Sequence, residues 1–128
     1  MIVDSSAIVA ILAKEPERTQ FAKILLSEPI VRISTATYVE LVNVVDRRIG
    51  RAALGDLEEF LETAEVELVP FTVAQAHWAK HARVTYGRLG ERGINFGDCF
   101  SYALAKETDE PLLFKGDDFA LTDVRRAI

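Results

Sequence analysis

Cysteine is almost absent. Cys99 is the only one in 128 residues, which excludes an intrachain disulfide and any cysteine-based zinc cluster. On the apolar segment that follows Asp98 it reads as a small buried residue rather than a nucleophile. Histidine is scarce too, limited to His77 and His81. Their spacing suits two zinc ligands on a helix, but with no intervening Glu and no third ligand they read as ordinary, partly exposed histidines. Ser5 and Ser6 have no histidine at a plausible nearby position, so a hydrolase triad is not expected. The opening Met1-Ile2-Val3-Asp4 has no basic segment of the secretory-leader kind. Long apolar runs are missing as well. The longest, Ala7 to Ala13, is far short of the ~20 residues that span a bilayer, so no membrane contact is expected.

Positive charge is also in deficit. Fifteen Lys+Arg face 20 Asp+Glu, for a net charge of −5, and a phosphate-binding protein is usually basic. The deficit is local, however. Between Ala52 and Ala79 there is no Lys or Arg, but Asp56, Glu58, Glu59, Glu62, Glu65 and Glu67 all fall there. Elsewhere bases cluster, as Arg47, Arg48 and Arg51, and as Arg83, Arg88 and Arg92 around Tyr86. Net charge alone therefore does not exclude RNA.

What is present is a globular composition, 49% hydrophobic and 27% charged, with no repeat, low-complexity tract or linker. One domain over residues 1–128 is expected. Short apolar runs alternate with helical periodicity. Strands are expected at Ile2-Val3, Ile30–Ile33, Val66–Val69 and Leu112–Phe114, with a last short one within Val124–Ile128. Helices are expected over Ser5–Ala13, Pro16–Ser27, from Thr35 or Thr37 to Ile49, Ala52–Ala64, Val73–Tyr86 and Cys99–Lys106. On Val73–Tyr86 the inner positions read as Val73, Ala76, Trp78 or Ala79, and Val84. Gly87–Gly97, with four glycines, reads as a loop. Such alternation implies an α/β fold: a central parallel sheet with helices on both faces. Ligands of such sheets sit beyond the carboxyl ends of the strands.

Acids occupy those ends. Asp4 closes the first strand, Glu40 lies near the start of the helix after the second, and Asp98 opens the apolar helix. Asp117 and Asp118 follow Leu112–Phe114. Each also has a structural role open to it. Asp4 suits a helix cap, Thr37 and Glu40 a capping box, Asn95 and Asp98 the same offset, and Lys115–Asp118 a turn. Together, four carboxylates in one pocket must take up protons or hold cations. An all-oxygen set without His or Cys selects Mg²⁺ or Mn²⁺ over zinc. Such ions activate water for in-line attack on a phosphodiester.

Four segments carry a resemblance. They are Ile2-Val3-Asp4-Ser5-Ser6-Ala7, Ser34-Thr35-Ala36-Thr37-Tyr38-Val39-Glu40-Leu41, Asn95-Phe96-Gly97-Asp98-Cys99-Phe100, and Pro111-Leu112-Leu113-Phe114-Lys115-Gly116-Asp117-Asp118-Phe119. In order and spacing they resemble PIN-domain ribonucleases, specifically the VapC toxins of bacterial VapBC toxin–antitoxin pairs. The resemblance implies a PIN-like parallel sheet of order 3-2-1-4-5 and Mg²⁺- or Mn²⁺-dependent cleavage of RNA by metal-activated water. It also implies inhibition by a cognate VapB antitoxin, a homodimer within a higher toxin–antitoxin assembly, and a location in the bacterial cytoplasm. Asp4, Glu40 and Asp98 match the family's metal-holding acids, and Ser6 its small polar residue that hydrogen-bonds within the site. The fourth acid departs from the usual pattern, with Asp117 preferred weakly over Asp118. Arg83, Tyr86, Arg88, Arg92 and Lys115 are the candidate RNA contacts. Ala10, Leu12 and Phe21-Ala22-Leu25-Leu26 are the candidates for an apolar groove that takes an antitoxin helix.

Two other classes remain open at this point. A receiver-like regulatory module needs an acidic pair at the first strand and an Asp after the middle one. Here Asp4 precedes two serines, and Val66–Val69 runs into Pro70-Phe71. A non-catalytic PIN-like binding module is the other, and the complete acid set argues against it.

Overall fold

The computed structural model describes residues 1–89 and 92–128; the part of the expected glycine loop at positions 90 and 91 lies outside them. Its elements run β1 (Ile2–Val3), α1 (Ser5–Leu12), α2 (Arg18–Ser27), β2 (Val31–Ser34), α3 (Thr35–Arg48) and α4 (Ala53–Thr63). They continue as β3 (Val66–Val69), α5 (Val73–Tyr86), α6 (Asp98–Thr108) and β4 (Leu112–Leu113). The sheet is parallel throughout, in the order β3-β2-β1-β4.

The fifth strand expected within Val124–Ile128 is reduced to a single parallel bridge between Leu112 and Arg126. Leu112 N–H donates to the Arg125 carbonyl at 2.8 Å, and Ala127 N–H to the Leu112 carbonyl at 3.0 Å. The terminal segment thus takes the outer place beside β4. Only one residue of the two-residue β4 pairs with it, too few for a ladder.

Alternation along the strands sorts side chains to two cores. Val3 and Leu113 face one, with Ile8 and Ile11 of α1, Phe21 and Leu25 of α2, Leu41 and Val45 of α3, and Leu57 and Leu61 of α4. Their neighbours Ile2 and Leu112 face the other, with Ala82 of α5, Tyr102 and Leu104 of α6, and Phe114 and Phe119. A one-residue register slip would exchange the two sets, so the pairing is strongly specified.

The helix starts follow from local chemistry. Asp4 has extended backbone and its carboxylate accepts from Ser6 N–H, which starts α1. Ser34 starts α3 by accepting from Ala36 N–H at 3.2 Å. The helix therefore begins before Thr37, and the expected Thr37–Glu40 capping box does not form. Asn95 and Asp98 do exchange backbone-to-side-chain bonds at 2.7 and 2.9 Å. On α5 the inward positions are Gln75, Ala79, Ala82 and Tyr86; of the expected set Ala79 is among them, whereas Val73 and Val84 are both 77% exposed. Gln75 turns inward because its amide donates to the Pro70 carbonyl at 3.2 Å. On α4, Asp56, Glu58, Glu59 and Glu62 face solvent while Leu57 and Leu61 are buried. Among the described residues no helix is long and apolar enough to cross a membrane.

Candidate active site

Asp4 leaves β1 at the middle of the sheet, where its N–H donates to the Leu113 carbonyl of β4 at 2.9 Å. This is the carboxyl edge of the strands, beside the point where the chain order reverses between β1 and β4. The Asp4 carboxylate is 2% exposed. Ser6 donates to its Oδ2 twice, from N–H at 2.9 Å and from Oγ at 2.7 Å. Ser101 Oγ donates to Oδ1 at 2.6 Å. Ser6 Oγ in turn accepts from the Lys115 N–H at 3.0 Å, tying the turn after β4 to the site.

Asp98 and Glu40 are brought to the same edge by α6 and α3. Burial pushes the Asp98 carboxyl up to about 7; the bond from Asn95 N–H opposes this, and the charges of Asp4, Asp118 and Glu40 add to it. Burial also raises Glu40, as does the Asp4 charge, while the nearby Ser5 hydroxyl lowers it. Glu40 Oε2 is buried and has no partner among the described residues. The Glu40 carboxylate lies directly over Gly97, where a Cβ would overlap it. These mutual effects place Asp4, Glu40, Asp98 and Asp118 within electrostatic reach of one another.

Of the two candidates for the fourth acid, Asp118 is the one whose charge acts on Asp98. It is also paired with Arg88, at 3.2 Å. Asp117 is exposed and lines, with Asp118, Arg92 and Leu121, a surface cavity of about 260 Å³. Arg83 is exposed on the last turn of α5, with its guanidinium against Gly87. Tyr86 is half-buried, 5.8 Å between ring centroids from Tyr102. Lys115 points away from the acids, with Nζ 2.5 Å from Glu15 and 2.9 Å from Glu17. His77 and His81 are exposed, and His81 packs edge-on to Trp78 and Tyr86. Cys99 is buried, and burial raises its thiol.

Sequence reasoning missed Ser101 and gave Thr37 only a capping role. Both hydroxyls are fully buried and lie 3.2 Å apart. The available signal was position: Ser101 is one helical turn after Asp98, and Thr37 one turn before Glu40.

The sequence matches the PIN domain family over residues 1–125. It is 43% identical to ribonuclease VapC30 of Mycobacterium tuberculosis over 125 residues, covering 97% of this chain and 95% of that protein. It is 44% identical to ribonuclease VapC of Mycolicibacterium smegmatis over 125 residues, covering 97% of each. The chain belongs to the VapC ribonuclease family of PIN domains. The PIN fold is shared with VapC20 of Mycobacterium tuberculosis, with a TM-score of 0.76 at 21% identity, covering 96% of this chain and 95% of that one. It is shared too with the VapBC2 complex of Rickettsia felis bound to promoter DNA, with a TM-score of 0.74 at 16% identity, covering 98% and 94%.

Whether this PIN domain's residues suit a divalent cation is a question of donor chemistry. No three His, Cys, Asp or Glu side chains among the described residues form a ready-made ligand cluster. The site nonetheless gathers hard oxygen donors and no His or Cys. It leaves one buried carboxylate oxygen unpartnered, and burial together with like charge suppresses ionisation of another acid. Both features are what a missing counter-charge produces, so the set fits an oxygen-seeking dication.

Proposed function

We propose that this PIN domain is the toxin component of a VapBC pair, a Mg²⁺- or Mn²⁺-dependent endoribonuclease that hydrolyses RNA phosphodiester bonds. The observation that carries this is the set of Asp4, Glu40 and Asp98 at one sheet edge, with Glu40 Oε2 buried and unpartnered. Relatives above 40% identity are named as ribonucleases, which supports the reaction class. Asp4 and Asp98 hold the ion, with Glu40 and the fourth acid, Asp118 or Asp117, beside them. Asp118 is favoured by its charge on Asp98. A bound dication would supply Lewis acidity and a lowered pKa of water.

The chain's own residues do the rest. Ser6 and Ser101 orient the Asp4 carboxylate and keep it an acceptor. Burial of Asp98 excludes bulk water, which strengthens every charge interaction at the edge. Arg83, Arg88 and Arg92 form the basic rim that receives RNA phosphates, and Tyr86 offers its ring to stack on a base. Lys115, held by Glu15 and Glu17, contributes its backbone N–H rather than its ammonium. Products carry 5′-phosphate and 3′-hydroxyl ends.

The partner is a VapB antitoxin, as in the VapBC complexes that share this fold. Ala10, Phe21 and Leu25 are buried in the core, so they are not available to it. The open surface nearby is a groove between α1 and α4 that includes Leu12, Phe60 and Arg18. The enzyme's location is the bacterial cytoplasm, where its RNA substrate is.

The test is incubation of purified protein with RNA and Mg²⁺ or Mn²⁺, with and without chelator. Chelator-sensitive cleavage that disappears in Asp4→Asn and in Asp98→Asn is the expected result. Full activity in either variant, from preparations free of contaminating nuclease, overturns the assignment. RNA binding without cleavage would favour a non-catalytic binding module instead.

A further inference from the structure

The mechanism above uses Ser101 but not its fully buried partner Thr37, and the pair together joins the three acid-bearing elements. Ser101 Oγ donates to Asp4 Oδ1 at 2.6 Å, and Thr37 Oγ1 lies 3.2 Å from Ser101 Oγ. An ionised carboxylate only accepts, so the Ser101 proton is committed to Asp4. Thr37 is then the donor to Ser101, and the chain of bonds runs in one direction from α3 through α6 to the end of β1.

The placement is regular. Ser101 lies one turn along α6 from Asp98, and Thr37 one turn along α3 from Glu40, so each hydroxyl sits beside the acid of its own helix. Both residues are 0% exposed, and no water competes for their bonds. Ser6 holds Oδ2 of Asp4 from the other side at 2.9 and 2.7 Å. Rotation of the Asp4 carboxylate is thereby blocked at both oxygens; Oδ2 already accepts twice, while Oδ1 accepts once and keeps a free lone pair for a cation.

We infer that Thr37 and Ser101 form a hydroxyl relay that positions Asp4 for cation binding and fixes α3 and α6 at the spacing the site requires. This rests on the proposed metal site. Neither residue touches the substrate; they act through Asp4. Groups that orient a ligand from behind are worth tenfold or more in metal affinity.

Mn²⁺ binding by the metal-free protein, read from the electron paramagnetic resonance signal of free Mn²⁺, tests this without any turnover. Ser101→Ala should weaken Mn²⁺ binding about tenfold. Thr37→Val, which keeps shape and removes the hydroxyl, should weaken it two- to threefold, and Thr37→Ser should restore it. Because the relay acts as one unit, the double variant should bind no worse than Ser101→Ala alone. Thermal melting of each variant without metal separates a structural role, which would lower Tm and leave the Mn²⁺ Kd unchanged. Wild-type Kd in folded Ser101→Ala overturns the relay, as does simple additivity in the double variant. Asp4→Asn is the control: if it too binds Mn²⁺ normally, the metal site itself fails. If it alone loses binding, the fault lies with the relay.

Discussion

At the scale of single residues, Asp98 makes the clearest prediction, because its carboxyl stands at about 7 against an ordinary 3.8. Burial is the main cause, and an acid whose folded pKa is raised holds a proton that the unfolded chain has already lost. Stability therefore falls as pH rises between about 4 and 7, and the loss, on the order of a few kcal/mol, is complete above that window. Asn at this position cannot ionise and still accepts from Asn95 N–H. Metal-free Asp98→Asn should therefore melt above the wild type at pH 8 and level with it at pH 4, in chelator. Parallel pH curves for the two proteins would refute this. A residue whose removal stabilises the fold while ending cleavage is held there for chemistry. Asp4 and Asp98 were legible in the sequence because their caps and turns are local. Ser101 was not, because one hydroxyl in the apolar run Cys99–Ala105 carries no pattern until the tertiary fold brings it 2.6 Å from Asp4.

At the scale of elements, the start of α6 sets the height of the acids against α3. Gly97 has ordinary right-handed backbone, with φ −64° and ψ −38°, so alanine there carries no backbone strain. Its hydrogen faces the Glu40 carboxylate, and a methyl group would occupy that carboxylate's place. Gly97→Ala should therefore fold with a Tm near that of the wild type yet lose at least tenfold in kcat, since misplacement by about 1 Å can cost far more. Circular dichroism melts beside a cleavage assay check both halves; wild-type kcat would show that Glu40 has room to move. The long periodic helices were readable in sequence: α5 spans Val73–Tyr86 as expected. Its inner face was not, because Gln75 turns inward, its amide N–H donating to the Pro70 carbonyl, while Val73 and Val84 face outward. The fifth strand failed for the opposite reason. Val124–Ile128 has strand composition, but β4 offers it a single paired residue.

At the scale of the whole molecule, the net charge of −5 conceals a separation of charge in space. The acids of α4 face solvent on the α1–α4 side of the sheet, against the core that holds Leu57 and Leu61. The site acids are at the carboxyl edge, with Arg88 paired to Asp118 and Arg92 lining a cavity with Asp117 and Asp118. These arginines differ in how far their charge is already committed. Arg88 pairs with Asp118 at 3.2 Å, and Lys115 is shared between Glu15 and Glu17. A cation bound to a carboxylate releases little counterion when a phosphate arrives, whereas a free one shifts the salt dependence of single-strand binding by about 0.7 in log–log slope. In an Asp98→Asn background, expected to bind RNA without cutting it, Arg92→Ala should lower that slope by about 0.7. Lys115→Ala should leave it unchanged, and Arg88→Ala should fall between. Fluorescence anisotropy of a short labelled RNA across salt concentrations reads all three. An equal shift for Lys115→Ala and Arg92→Ala would mean that RNA breaks the Glu15–Lys115–Glu17 cluster on binding. The turn after β4 would then move toward the substrate, carrying with it the Lys115 N–H that steadies Ser6.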